Sequence, residues 1–265
     1  GTTESVERLT RRDLTSFYKN IYTGSRLVVS VAGAVDHFEV VEQVERALSK
    51  VEKGRKPKPR SKPKFRVFSA FQQRPAEQVH LFLGLPSTSY RDPLRFDSYV
   101  LNAILGGGMT SRLYQRVRER RGLVYSVYSY LQSFVDSGLL MIYAGASPKN
   151  SQAVMEIILD EAEKLRAKPP TENEIAMYRT QLEGQILLGS EDMENRMNSL
   201  GANEMVFEEY RPVDQVIAEI HNVNEDSVGS YLDKHFNNKR FSFLAVGDLE
   251  PTQSDALLAK VRSAN

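Results

Sequence analysis

Shifted by 214 residues, this chain lies over itself without a gap. LTRRDLTSFYKNIYTGSRLVVSVAGAVD (9–36) falls on VNEDSVGSYLDKHFNNKRFSFLAVGDLE (223–250), and the apolar positions coincide. Leu14 meets Val228, Phe17 meets Tyr231, Tyr22 meets Phe236 and Val29 meets Phe243, while Arg26 and Gly33 meet identical residues at Arg240 and Gly247. Self-similarity at a fixed spacing is the mark of duplicated units. If one unit runs from about residue 63 to the end, residues 1–62 hold only the closing part of an earlier copy. The expected fold is therefore α+β, with duplicated domains and a truncated first copy.

Local patterns fill in this frame. Thr10 followed by Asp13 reads as a capping box opening a helix through Tyr22, and Asp36 reads as the N-cap of a second helix over 36–51. Between them RLVVSVAG (26–33) is β-branched and continuous, which predicts a strand. In the second copy, 65–72 and 78–86 read as strands, 91–105 as a helix ended by glycines, and a helix capped by Thr110 ends at Arg121 and Gly122. VYSVYSYLQSF and SGLLMIYAGAS then read as paired strands. Helices follow, one opened by Thr171 and Glu174 and another over 191–207.

The tract KGRKPKPRSKPK (53–64) carries seven basic residues, three prolines and no acid. Prolines force extended backbone and like charges repel, so it reads as a linker. No aromatic residues interleave to stack on bases, and nucleic acid is not an expected partner. The domain reading is 1–52 as the end of the first domain, 53–64 as linker and 65–265 as a complete second domain. No apolar run approaches the length of a membrane span. With no cysteine in the chain, thiol nucleophiles, disulfides and Cys-ligated metals are excluded, which fits a cytoplasmic or other cysteine-poor soluble compartment.

The chemistry concentrates in LGGGMTSRLYQRVRERRGLVYSVYSY (105–130). Gly106, Gly107 and Gly108 follow a helix rather than a strand and no Gly-Lys-Ser/Thr occurs, so this is not a nucleotide loop. The glycines read as a hinge between helices or as backbone open to the close approach of a peptide. Arg118 in the last turn of one helix and Tyr125 near the start of the next strand can face one mouth, with Gly122 making the corner. They can hold a peptide carbonyl or a developing oxyanion; alternatively, the arginines solvate a helix C-terminus.

The same stretch closely resembles the second-domain segment of the pitrilysin and insulysin superfamily of zinc peptidases, in particular the bacterial and mitochondrial processing peptidase branch. Residues 9–48 are similar to the closing part of that family's first domain. The resemblance implies homologous domains, each a mainly antiparallel sheet covered by helices. It also implies a first-domain motif His-x-x-Glu-His with a downstream glutamate, in which two histidines and that glutamate bind zinc and the motif's own glutamate is the general base. No such motif occurs here: His37, His80, His221 and His235 are isolated, and no metal ligand is assigned to this chain.

By the resemblance, Arg118 and Tyr125 are catalytic residues that stabilise substrate and transition state, and Gly106 to Gly108 bind substrate. Zinc belongs to the parent protein, upstream of Gly1. The expected function is the substrate-gripping portion of a zinc metalloendopeptidase acting on extended peptides or unfolded segments. The alternative is a noncatalytic partner or structural core subunit. Expected partners are the polypeptide substrate, the upstream part of the same protein or a homologous subunit, and a second copy in a dimer.

Overall fold

The computed structural model describes residues 1–55, 61–236 and 241–264. Part of the expected linker, 56–60, and Arg240 of the repeat lie outside the described residues. The chain divides into two compact units, one of residues 1–61 with 189–210 and one of 62–188 with 211–265.

The first unit contains α1 (Thr3–Glu7), α2 (Arg11–Ile21) and α3 (His37–Leu48). The Thr10 and Asp13 capping box is present, and Asp36 accepts hydrogen bonds from the N–H groups of Phe38 and Glu39 at 2.9 and 3.0 Å. The expected strand over 26–33 does not form. Residues 24–26 make a single 3₁₀ turn, and the extended chain beyond it pairs with no strand among the described residues. A strand holds only when a neighbour takes its N–H and C=O groups. The β-branched run is present but its ladder partner is not, and Val28, Val29 and Val31 stay exposed.

The second unit is a five-stranded mixed sheet in the order β1-β5-β2-β4-β3: β1 (Ser69–Gln73), β2 (Val79–Pro86), β3 (Val124–Ser133), β4 (Gly138–Ala146) and β5 (Ser242–Gly247). Only β1 and β5 are parallel. The first strand starts at Ser69, four residues later than 65–72 predicts, where it pairs with Phe243 of β5. The helices are α4 (Arg95–Gly106), α5 (Ser151–Ala167), α6 (Glu172–Ser190), α8 (Val213–His221), α9 (Glu225–His235) and α10 (Pro251–Ala264). Between α6 and α8 runs α7 (Met193–Phe207), most of the 189–210 segment that groups with the first unit, with Asp192 as its N-cap. The α4 start falls at Arg95 rather than 91, since Asp92 accepts the Leu94 N–H ahead of it.

Alternation along the strands separates the two faces of the sheet. Leu81, Leu83, Leu85, Ile142, Ala144, Phe243 and Ala245 are fully buried and pack in one core with Leu101, Ile104, Met155, Tyr231 and Leu257 of the helices. Burying each large apolar side chain contributes about 1.5–3 kcal/mol. The opposite face carries Phe82, Tyr128, Tyr130 and Tyr143, which remain partly exposed. Tyr143 joins Phe82 and Tyr128 at ring centroid distances of 5.2 and 4.9 Å.

Candidate functional site

The segment joining α4 to β3 departs from regular structure twice. After one short α-helical step, residues Tyr114–Glu119 form a π-helical turn, in which the Arg120 N–H reaches back five residues to the Gln115 carbonyl at 3.0 Å. Such wide turns occur mostly as short insertions and often at functional sites. Gly122 then adopts φ +58°, a left-handed value that glycine takes without strain, and its N–H bonds the Arg118 carbonyl at 2.9 Å.

The second irregularity lies in β3. Val124 pairs with Ala146 and Ser126 with Gly145, so Tyr125 is an extra residue in the ladder. A bulge re-aims a side chain. Tyr125 is 76% exposed, while Val124 and Val127 beside it are buried.

These two irregularities bring Arg118 and Tyr125 together. The guanidinium carbon of Arg118 lies 4.8 Å from the Tyr125 ring centroid and 4.9 Å from that of Tyr114. A cation so placed over aromatic faces is held by the ring quadrupoles while its N–H groups remain usable. Tyr114 is a member of this group that the sequence reading passed over. Its signal was the spacing of four residues from Arg118 along a helix, which puts both on one side.

The glycines have distinct environments. A Cβ on Gly106 would stand 2.5 Å from the Ser129 backbone nitrogen, so this glycine lets α4 press onto β3, a contact completed by the Ser129 hydroxyl donating to Asn102 Oδ1 at 2.8 Å. A Cβ on Gly107 would meet Ala103 Cα at 2.7 Å. Only Gly108 has open space, with Gln181 Nε2 its nearest neighbour at 3.8 Å. Thr110 does not cap the following helix: its carbonyl accepts the Tyr178 hydroxyl at 3.0 Å, and the Ser111 carbonyl accepts the Gln115 N–H instead. Alongside the free edge of β3, Gly107, Tyr130, Leu131, Gln181 and Gln185 border a cavity of about 330 Å³.

The histidines do not converge. His80 Nδ1 lies 2.9 Å from the Tyr143 hydroxyl, whose pKa burial raises. His221 Nε2 meets Glu183 at 3.0 Å, His235 lies tilted against Tyr231, and His37 lies against Phe38. Among the described residues no three His, Asp or Glu side chains come together as metal ligands, and the residues of this chain do not fit a zinc site.

The profile of a family described as the peptidase M16 inactive domain matches residues 8–182. The chain belongs to the peptidase M16 family. An uncharacterized zinc protease of Streptomyces coelicolor is 38% identical over 267 residues, covering 97% of this M16 chain and 58% of the relative, and one of Bacillus subtilis is 34% identical over 229 residues, covering 86% and 56%. The M16 chain thus spans a little over half the length of these relatives. Its fold matches the crystal structure of a peptidase M16 inactive domain from Pseudomonas fluorescens (TM-score 0.85, 21% identity, 95% of this chain and 61% of that one). It also matches a chain of complex III2 from Candida albicans, with TM-score 0.82 and 18% identity, over 100% of this chain and 64% of that one. The resemblance read from the sequence and the α+β class both stand. No helix among the described residues is long and apolar enough to cross a membrane.

Proposed function

We propose that this M16 chain is the C-terminal, substrate-gripping portion of a zinc metalloendopeptidase that hydrolyses extended peptides or unfolded segments. In this reading residues 1–52 close a first domain, 53–64 link, and 65–265 form the second domain. The observation that carries it is the Arg118 and Tyr125 pair, built by a π-helical turn and a β-bulge, with Tyr125 exposed and Arg118 half-buried beside it. Relatives named as zinc proteases support it.

The chemistry follows from the groups present. Arg118 supplies a fixed positive charge with several N–H donors, and Tyr125 supplies a hydroxyl beside it. Together they hold the carbonyl oxygen of a bound peptide and favour the negative charge that develops on it during attack. The free edge of β3 offers unpaired backbone groups to an extended chain, Gly107 borders the cavity alongside it, and Gly108 has open space. Zinc and the general base would come from outside this chain, held by a His-x-x-Glu-His motif and a distal glutamate in the parent protein.

The second reading, a noncatalytic partner or structural core subunit, draws on the complex III2 likeness, which concerns fold alone. Peptide cleavage by the parent separates the two. Zinc near one per chain, with cleavage lowered in Arg118→Ala and Tyr125→Phe while metal content is unchanged, supports the peptidase. A parent without zinc or cleavage makes the chain a subunit.

A further inference from the structure

Arg112, Arg116 and Arg120 recur every fourth residue through the turn that carries Arg118, and they border a separate cavity of about 590 Å³. Lys164 and Lys168 face it from the end of α5, and Glu161 and Glu174 from α5 and α6. Much of this charge is matched within the fold. Arg112 donates to both Glu174 oxygens at 2.8 and 2.5 Å, Arg116 bonds Glu161 and lies 2.6 Å from Asp160, and Lys164 lies 2.8 Å from Asp160. Three cations thereby meet three carboxylates, a balanced network that ties the π-helical turn to α5 and α6.

Arg120 and Lys168 stand outside that balance. Neither side chain makes an ion pair or a hydrogen bond among the described residues, yet both border the cavity. A network serving only to hold helices is complete without them. Their surplus charge sits beside guanidinium groups already fixed by carboxylates, so an incoming anion meets preorganised donors. A cation is disfavoured by the surplus, and the volume falls in the range of small-molecule sites, roughly 300–1,000 Å³. Guanidinium forks fit phosphate oxygens in pairs and lysine adds point charge.

We propose that this cavity binds a compact, multiply charged oxyanion of the phosphate class, gripped by Arg120 and Lys168 beside Arg112 and Arg116. Because the arginines lie on the turn that also presents Arg118, the site is placed to influence that residue, though its existence does not depend on peptidase activity.

Calorimetric titration of the chain with sodium tripolyphosphate tests it directly. Saturable one-site binding that weakens with ionic strength is expected, with at least a tenfold loss of affinity in the Arg120→Gln, Lys168→Gln double variant. Among the described residues those side chains contact no others by hydrogen bond or ion pair, so the variant keeps its fold, checked by thermal unfolding. A nucleoside triphosphate titrated in parallel identifies the source: equal affinity assigns recognition to the phosphates alone, and tighter binding assigns a nucleotide. Absence of saturable binding overturns the proposal. So does unchanged affinity in the double variant, or an equal loss in a control carrying Lys53→Gln and Lys149→Gln.

Discussion

The guanidinium of Arg118 stacks over the ring of Tyr125 at 4.8 Å, with the ring of Tyr114 at 4.9 Å from the same carbon. On the proposed reading, the contributions of the three side chains separate by mutation. In the parent protein, Tyr125→Phe keeps the stack and removes the hydroxyl, so kcat for peptide cleavage should fall by about 10²-fold with KM little changed, the size of one lost oxyanion donor. Tyr114→Leu keeps Arg118 and Tyr125 but removes one ring from beside the guanidinium, and on the proposed reading should reduce kcat less than Arg118→Ala does. Steady-state kinetics on one peptide substrate checks all three.

Gly106 and Gly108 should respond in opposite ways. A methyl group at Gly106 runs into the Ser129 nitrogen, so Gly106→Ala should destabilise the second unit by about 1–3 kcal/mol, the usual range for overpacking. Gly108→Ala meets open space and should leave the unfolding midpoint unchanged. A change in peptide binding by Gly108→Ala alone would assign that glycine to substrate rather than to packing.

Glu161 is 3% exposed and joins Arg112 and Arg116. Desolvation opposes the charge of Arg112, but its bonds and attraction to Glu174 and Glu161 outweigh this and raise its pKa; Arg116 is raised likewise by Glu161 and Asp160. Glu161→Ala removes one of two carboxylate partners from each guanidinium, leaving Arg112 on Glu174 and Arg116 on Asp160, and should cost about 1–3 kcal/mol, read by urea denaturation. Arg46→Ala breaks an exposed pair with Glu42 and should change stability by less than about 1 kcal/mol.

Burial lowers the pKa of His235 below its ordinary 6.5, and Lys234 and Lys62 push the same way against Asp92 and the Pro86 carbonyl. The ring lies tilted against that of Tyr231 at a centroid distance of 4.7 Å, and its Nε2 has no hydrogen-bond partner among the described residues. The fold therefore holds the neutral form, while the unfolded chain binds a proton near pH 6.5. This contribution is full above 6.5 and is lost as pH falls from there toward the depressed folded value. His235→Gln should flatten the loss of stability across that window, measured by denaturation at a series of pH values.

In the first unit the apolar side chains of α2 and of the extended segment lie open, with Phe17 62% and Val29 52% exposed. Surfaces of this kind associate or bind hydrophobic dyes. The chain should therefore self-associate with concentration in sedimentation, and Val29→Asp with Val31→Asp should reduce it.

The two irregularities that build the site left little trace in the sequence. That Arg118 and Tyr125 can face one mouth was legible from their spacing around Gly122, but neither the π-helical turn nor the bulge follows from an apolar period of 3.6 or 2. The α5 and α6 partners of Arg112 and Arg116 lie more than forty residues away. Helix caps act over three residues and were legible at Thr10 and Asp36, which bind the N–H groups expected, but not at Thr110, which packs against Tyr178 instead.

The repeat divides what local sequence determines from what tertiary structure decides. Helices α2 (Arg11–Ile21) and α9 (Glu225–His235) begin and end 214 residues apart, each opened by a capping box, because a helix satisfies its own backbone and needs only its local sequence to set its ends. The β-branched runs that follow do not share a fate. Phe243 is fully buried in β5 between β1 and β2, while Val29 at the matching position lies half exposed in unpaired chain. A methyl on Gly247 would press on Val79 Cα, while its counterpart Gly33 sits at φ +143° with nothing near. A strand borrows its hydrogen bonds and its core from distant neighbours, so the same pattern is a strand where those neighbours stand and bare extended chain where they do not.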